Sequence, residues 1–253
     1  MLKLNNVNFN YGKSEILKNI NLELSKGQLL TLVGPNGSGK STLLKCINNF
    51  LDINSGTIMI NGKNLDQYKR QELARLIAYV PQQISSPFPN TVFDTILMGR
   101  KVYQSWRPSH QDRKLTAKII NKLGLAEIAF TKINQLSGGQ RQKVYLGRGL
   151  AQQAKLILLD EPNNNLDLKH QLEIFNLIKR EVNQGSAAVI IMHDLSLASR
   201  FSDKIVMLKS GQVFKSGRQE ILTAANIYAV YGVKVSLKDH QGFKIVIPEK
   251  IAN

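Results

Sequence analysis

Gly34-Pro35-Asn36-Gly37-Ser38-Gly39-Lys40-Ser41 stands between an apolar stretch, Gln28–Val33, and a segment carrying Leu43, Leu44 and Ile47. A strand, a glycine-rich turn and a helix in that order make a phosphate-binding loop. Glycines let backbone N–H groups approach phosphate oxygens, and the helix N-terminus adds the positive end of its dipole. Gly34, Gly37 and Gly39 supply the freedom, Lys40 reaches the β- and γ-phosphates, and the Ser41 hydroxyl ligates Mg2+. Thr42 is a further phosphate contact, and Pro35, Asn36 and Ser38 complete the cradle. Alone, the loop implies only that the chain binds a nucleoside triphosphate.

Two other stretches carry chemistry. Leu156-Ile157-Leu158-Leu159-Asp160-Glu161 is an apolar run ended by two carboxylates. A carboxylate closing a buried strand is costly unless solvated or bound to metal, so Asp160 reads as a Mg2+ ligand acting through water. Neighbours on a strand point to opposite sides, which allows Glu161 a separate role. Leu136-Ser137-Gly138-Gly139-Gln140 opens a segment with Val144, Leu146 and Leu150 and offers a second anion-friendly helix start. Two anion sites on one chain suggest a ligand shared between chains.

At 253 residues the chain suits one large α/β domain, or a core with a smaller subdomain. No apolar run approaches the roughly 20 residues that span a bilayer. Met1-Leu2-Lys3-Leu4-Asn5-Asn6 does not lead into a signal-peptide region. The single Cys46 cannot form an internal disulfide, and these features together favour the cytoplasm. The net charge of +16 lies in short clusters such as Lys69-Arg70 and Lys179-Arg180, without a long basic block. It is compatible with attraction to an anionic inner leaflet and equally with a solvated basic surface.

Leu2, Leu4, Val7 and Phe9 alternate with polar residues as a strand does, and Ile20–Leu24 and Gly56–Ile60 are further candidates. Ile77–Val80, Leu156–Leu159 and Ala187–Met192 are continuously apolar, as strands of a buried sheet are. From about Gln83 to Leu150 the chain reads mostly as helix. Thr91–Leu97 is one candidate, and Ser109-x-x-Asp112 forms a capping box ahead of Leu115, Ile119, Ile120 and Leu123. The pattern is a helical subdomain inserted in an α/β core.

Taken in order, Tyr11, the phosphate loop, Gln82, Leu136–Gln140, Asp160-Glu161 and His193 resemble ATP-binding cassette (ABC) proteins, from Tyr11 to about Gly232. The resemblance implies one cassette over 1–253, with a P-loop NTPase core of ABC type at about 1–82 and 151–235. It adds a helical subdomain at about 83–150, an antiparallel β subdomain and a C-terminal extension at about 236–253. ATP and Mg2+ would be the cofactors. Tyr11 would stack on adenine, Glu161 would polarise the attacking water, and His193 would contact the γ-phosphate. Gln82 would approach the Mg2+ held by Ser41 and Asp160; Gln83 competes for that role, but the family's Val-Pro-Gln pattern favours Gln82. Ser137, Gly138, Gly139 and Gln140 would cap ATP on a second, head-to-tail copy. Asp167, in Asn164-Asn165-Leu166-Asp167, would belong to the loop linking the two sites. The chain departs from the pattern at Asn163, where Thr is frequent, and at Gly149, where Ala is usual. Asn163 can still hydrogen-bond, and a helix-interior glycine costs roughly 0.5–1 kcal/mol relative to Ala.

Thr91–Arg100 with Tyr103 and Trp106-Arg107-Pro108-Ser109 looks like importer ATPases for iron–siderophore, haem or cobalamin, and molybdate importers share part of it. Arg200–Asp203 and Ile227–Val235 add to that likeness. It implies a homodimer on the cytoplasmic face of the cell membrane. The partners would be permease subunits and, indirectly, a substrate-binding protein. Phe88, Tyr103 or Trp106 would dock the permease or belong to the helical core. Nucleic acid is not an expected partner. Soluble nucleic-acid-associated ABC ATPases, the alternative class, carry a second cassette or long insertions that this chain lacks.

Overall fold

The computed structural model describes residues 1–82, 90–103, 107–163 and 166–251, in two compact units. One comprises Met1–Tyr68 and Lys179–Asn253, the other Lys69–Ile178.

In the first unit the strand Leu2–Tyr11 lies between Ser14–Leu24 and Ser55–Ile60, all antiparallel. Their apolar alternation meets across the ladder as Leu2↔Leu24, Leu4↔Leu22, Val7↔Ile20 and Phe9↔Leu17, all of them buried. The second strand begins six residues before the expected Ile20 start. Asparagines interrupt the period there: Asn6 and Asn19 take φ of 48° and 50°. Asn6 N–H donates to Asn21 Oδ1 (3.0 Å) and Asn19 N–H to Asn8 Oδ1 (2.7 Å). Each side chain replaces a ladder bond, so the strand continues through an irregularity that breaks strict alternation.

The same unit holds a parallel set. Leu29–Val33 pairs with Ala187–Ile191 on one edge and Lys204–Lys209 on the other. Leu29–Val33 and Ala187–Ile191 are buried throughout, which explains their unbroken apolar sequence. The helix Lys40–Ile47 buries Leu43, Leu44, Cys46 and Ile47. Burial pushes the Cys46 thiol up to about 12, so it is an inert core group. The chain ends in a hairpin, Val233–His240 with Phe243–Ile251. Lys244 N–H and Val246 N–H donate to Ser199 Oγ and Ser196 Oγ of the helix Leu195–Phe201.

In the second unit Ile77–Val80 pairs in parallel with Leu156–Asp160. The other described segments are mainly helical: Arg70–Leu76, Val92–Leu97, His110–Lys122, Gly138–Ala151 and the start of Leu168–Asn183. Thr91 Oγ1 caps Val92–Leu97 by accepting from Asp94 N–H. The Ser109–Asp112 capping box forms in both directions. Arg100 then ties three segments together, donating to Asp112 Oδ1 and to the Ala151 carbonyl, each at 2.8 Å. Gly149 has a packing reason that its helix-propensity cost conceals. A Cβ there would stand 2.8 Å from Val80 Cγ2, so the glycine lets the helix lie close to the strand. Among the described residues no helix is long and apolar enough to cross a membrane.

Candidate functional site

The phosphate loop leaves its buried strand at Gly34, whose φ is 151°. A Cβ there would fall 2.2 Å from the Leu208 carbonyl oxygen, and one at Gly39 (φ 97°) 2.8 Å from Leu17 Cδ2. No larger residue fits either position without moving its surroundings. Lys40 is buried, and its Nζ donates to the Gly34 and Pro35 carbonyls at 2.8 Å each, drawing the loop into a closed turn. Ser38 is 2% exposed and its Oγ has no partner among the described residues. An unpaired buried hydroxyl costs about 1–3 kcal/mol, and a phosphate oxygen is the acceptor that would satisfy it. The loop therefore fits a polyphosphate. Ser41 and Thr42 are half-buried in the first helical turn, while Asn36 and Gly37 are exposed.

Two other residues of that unit come from strand ends. Tyr11 closes Leu2–Tyr11 with 48% of its surface exposed, and its ring meets buried Phe9 edge to face at 4.8 Å. His193 is exposed, two residues beyond Ala187–Ile191. Asp194, which sequence reasoning missed, caps the helix Leu195–Phe201 by accepting from Ser196 N–H (2.8 Å) and Leu197 N–H (2.9 Å). An Asp immediately before an apolar helical turn is a signal that could have found it.

The second unit brings the Glu161 carboxylate beside Gln82. Asp160 is 5% exposed at the last position of its strand, where the Tyr79 hydroxyl donates to Oδ2 at 3.4 Å. Burial, reinforced by the Asp160 charge, pushes the Tyr79 hydroxyl up to about 12 and keeps it a donor. Glu161 is not on the strand, as the alternation argument required. The strand ends at Asp160, and Glu161 takes φ of 50°. The two carboxylates are separated by a left-handed turn of backbone, a conformation costing about 1–3 kcal/mol in a non-glycine residue. Glu161 Oε2 accepts from Gln82 Nε2 at 2.6 Å. Nothing in the sequence signals that contact across 79 positions.

Ser137 and Gly138 are exposed where the helix Gly138–Ala151 begins. Ser137 Oγ accepts from Gln140 N–H, and Gln140 Oε1 accepts from Ser137 N–H, so the Gln140 side chain is engaged in starting the helix. Asp167 is exposed and holds His170. Asn163 Oδ1 is buried without a partner among the described residues, while its carbonyl accepts from Leu166 N–H. Gln83, Phe88, Trp106, Asn164 and Asn165 lie outside the described residues. Tyr103 is 39% exposed, packs on Arg100 at 4.2 Å from guanidinium to ring, and donates to the Gln152 carbonyl, which leaves both roles open to it. Taken unit by unit, Ser41 offers a hydroxyl in the first, and Gln82 and Asp160 an amide and a carboxylate in the second, each a hard oxygen donor of the kind Mg2+ takes.

The ABC transporter family model matches residues 17–164. The chain belongs to that family. It is an ATPase with the P-loop NTPase fold of ABC type. An uncharacterized ABC transporter ATP-binding protein of Methanocaldococcus jannaschii is 42% identical to this cassette over 249 residues, covering 98% of each chain. The iron(3+)-hydroxamate import ATP-binding protein of Bacillus subtilis is 37% identical over 231 residues, covering 90% of this chain and 86% of its own. Among solved structures, an ABC transporter described as of a putative metal-chelate type, inward-facing, matches the cassette with TM-score 0.85 and 30% identity. It covers 98% of this chain and 97% of that one. A dimeric ATP-binding cassette in a post-hydrolysis state, bound to ADP and Pi, matches with TM-score 0.77 and 31% identity, covering 86% and 98%.

Proposed function

We propose that this cassette powers an importer of a metal chelate, an iron–siderophore in the first instance. It would act as a pair of identical chains beneath membrane-spanning permease subunits, on the cytoplasmic face of the membrane. A binding protein would deliver the chelate from the other side. The likeness to the iron(3+)-hydroxamate import protein supports the cargo, and the dimeric relative supports the pair.

One observation carries the catalytic assignment: the 2.6 Å hydrogen bond from Gln82 Nε2 to Glu161 Oε2. It restrains the carboxylate assigned to the attacking water at the residue where the chain turns off its strand. Glu161 orients that water and draws on its proton, while His193 steadies the γ-phosphate. Lys40, the loop N–H groups and the Ser38 hydroxyl bind the phosphates, and Tyr11 stacks on adenine. Ser41, Gln82 and Asp160 would hold Mg2+, which supplies positive charge to the β- and γ-phosphate oxygens. The N–H groups at Ser137–Gly139 face ATP on the second copy, and Asp167 lies in the loop between the two sites.

The test is to copurify the chain with its membrane partners and measure ATPase stimulation by a panel of substrate-loaded binding proteins. Stimulation by a ferric-siderophore-loaded protein, lost in Glu161→Gln, is the expected result. Stimulation only by a differently loaded protein refutes the cargo. Copurification of RNA or DNA in place of a permease refutes the importer.

A further inference from the structure

The arrangement around His170 gives this side chain a task that the assignments above leave open. Asp167 caps the helix Leu168–Asn183: its Oδ1 accepts from His170 N–H at 2.8 Å, and its carbonyl accepts from Gln171 N–H. The same Oδ1 lies 2.7 Å from His170 Nδ1. A carboxylate only accepts, so Nδ1 carries the proton and donates. One oxygen of Asp167 is thus held twice. Its other oxygen, Oδ2, has no hydrogen bond among the described residues, on a side chain that is 64% exposed. The His170 N–H bonds, backbone first and ring second, hold the Asp167 carboxyl below the usual carboxylate range. This group stays charged.

The His170 ring also backs the glycine turn at the start of Gly138–Ala151. A methyl group on Gly139 would stand 3.8 Å from His170 Nδ1 and 3.3 Å from Leu166 Cδ2. The ring therefore faces Gly139 across a gap that a single methyl group would fill, while bonded to Asp167. One turn further along both helices, Lys143 Nζ pairs with Glu173 Oε2 at 2.5 Å, with the lysine side chain 12% exposed. That ion pair holds the two helices together one turn beyond the place where His170, bonded to Asp167, faces Gly139.

We infer that His170 is a positioning residue for ATP hydrolysis: its imidazole sets the Asp167 carboxylate in register with the Gly138-Gly139 turn. The inference rests on the reading that Asp167 and that turn both serve ATP sites of the paired cassette. Without the ring, the backbone N–H still caps the helix, so the fold survives. The carboxylate then gains rotational freedom and loses its registration with the glycines. Asn places an amide nitrogen where the imidazole has Nδ1, so His170→Asn preserves the bond and little else of the ring.

The test compares steady-state hydrolysis and thermal melting of the purified full chain, His170→Ala, His170→Asn and Glu161→Gln. His170→Ala should lower kcat about tenfold, the worth of a hydrogen bond to a charged group expressed in the transition state. Its KM for ATP and its Tm should stay near those of the parent, and His170→Asn should restore most of kcat. An unchanged kcat in His170→Ala overturns the inference. A fall in Tm with no rescue by Asn also overturns it, because the ring would then be a structural strut. Glu161→Gln separates the two levels. If that variant still hydrolyses ATP at the parent rate, the underlying catalytic assignment fails whatever His170 does.

Discussion

Gly138→Ala sets stability against function at a single methyl group. A Cβ at Gly138 would meet nothing within 4 Å, and the residue is exposed at the first position of its helix. The fold has no steric use for glycine there. Ala is favoured over Gly in a helix by up to about 1 kcal/mol, less at a first turn. For a chain of this length that raises Tm by about 1–3 °C. The methyl group would nevertheless stand over backbone N–H groups assigned to a phosphate on the opposite copy. Removing one such donor from its productive distance lowers turnover by about 100-fold. The assays are thermal unfolding by circular dichroism, fluorescent-nucleotide binding to the isolated chain, and ATPase rate. The expected result is a melt unchanged or slightly raised, ATP affinity of the isolated chain retained, and hydrolysis lost. A Tm several degrees lower, or undiminished hydrolysis, would refute the reasoning, because the glycine would then serve the fold or nothing.

Gly99→Ala should do the reverse of Gly138→Ala. Its Cβ would sit 2.1 Å from the Arg148 carbonyl oxygen, so the segments must separate at a cost of about 1–3 kcal/mol, visible as a lower Tm; an unchanged melt would contradict the packing. Gln82→Ala removes the donor to Glu161 Oε2, and kcat should fall about tenfold with KM for ATP less affected; equal loss in both parameters would point to a binding role instead. Arg100 holds the Asp112 carboxyl below its ordinary range. That pair therefore contributes stability above the unfolded value of about 3.9 and loses it as pH falls through the lower folded value. Asp112→Asn should cost about 1 kcal/mol at neutral pH and flatten the acid limb of a Tm-against-pH series; parallel limbs would show that Asp112 does not titrate with folding.

Local chemistry was legible wherever it is contiguous. The strand Ile77–Val80 and the Ser109–Asp112 capping box appear where the apolar pattern and the cap rule put them. The Ser14–Leu24 strand was half read, because side-chain amides of Asn8 and Asn21 replace ladder bonds that alternation presumes. Glu161 was misplaced because a left-handed residue leaves no compositional trace when it is not glycine. The contacts Gln82–Glu161 and Tyr79–Asp160 span 79 and 81 positions. They depend on strand register, which a single sequence does not encode locally. Gly149 illustrates the converse error: propensity counted a cost where the close approach of Val80 makes the small residue useful.

The serines of Leu195–Phe201 have a consequence for how copies can associate. The outer edge of Phe243–Ile251 would ordinarily offer alternate N–H groups to any passing strand, and edges of that kind nucleate open-ended aggregation. Here Lys244 and Val246 spend theirs on Ser199 and Ser196 within the same chain. Recruitment of a foreign strand is blocked at both positions. If two copies pair as proposed, this edge is thereby closed to strand-by-strand polymerisation between them.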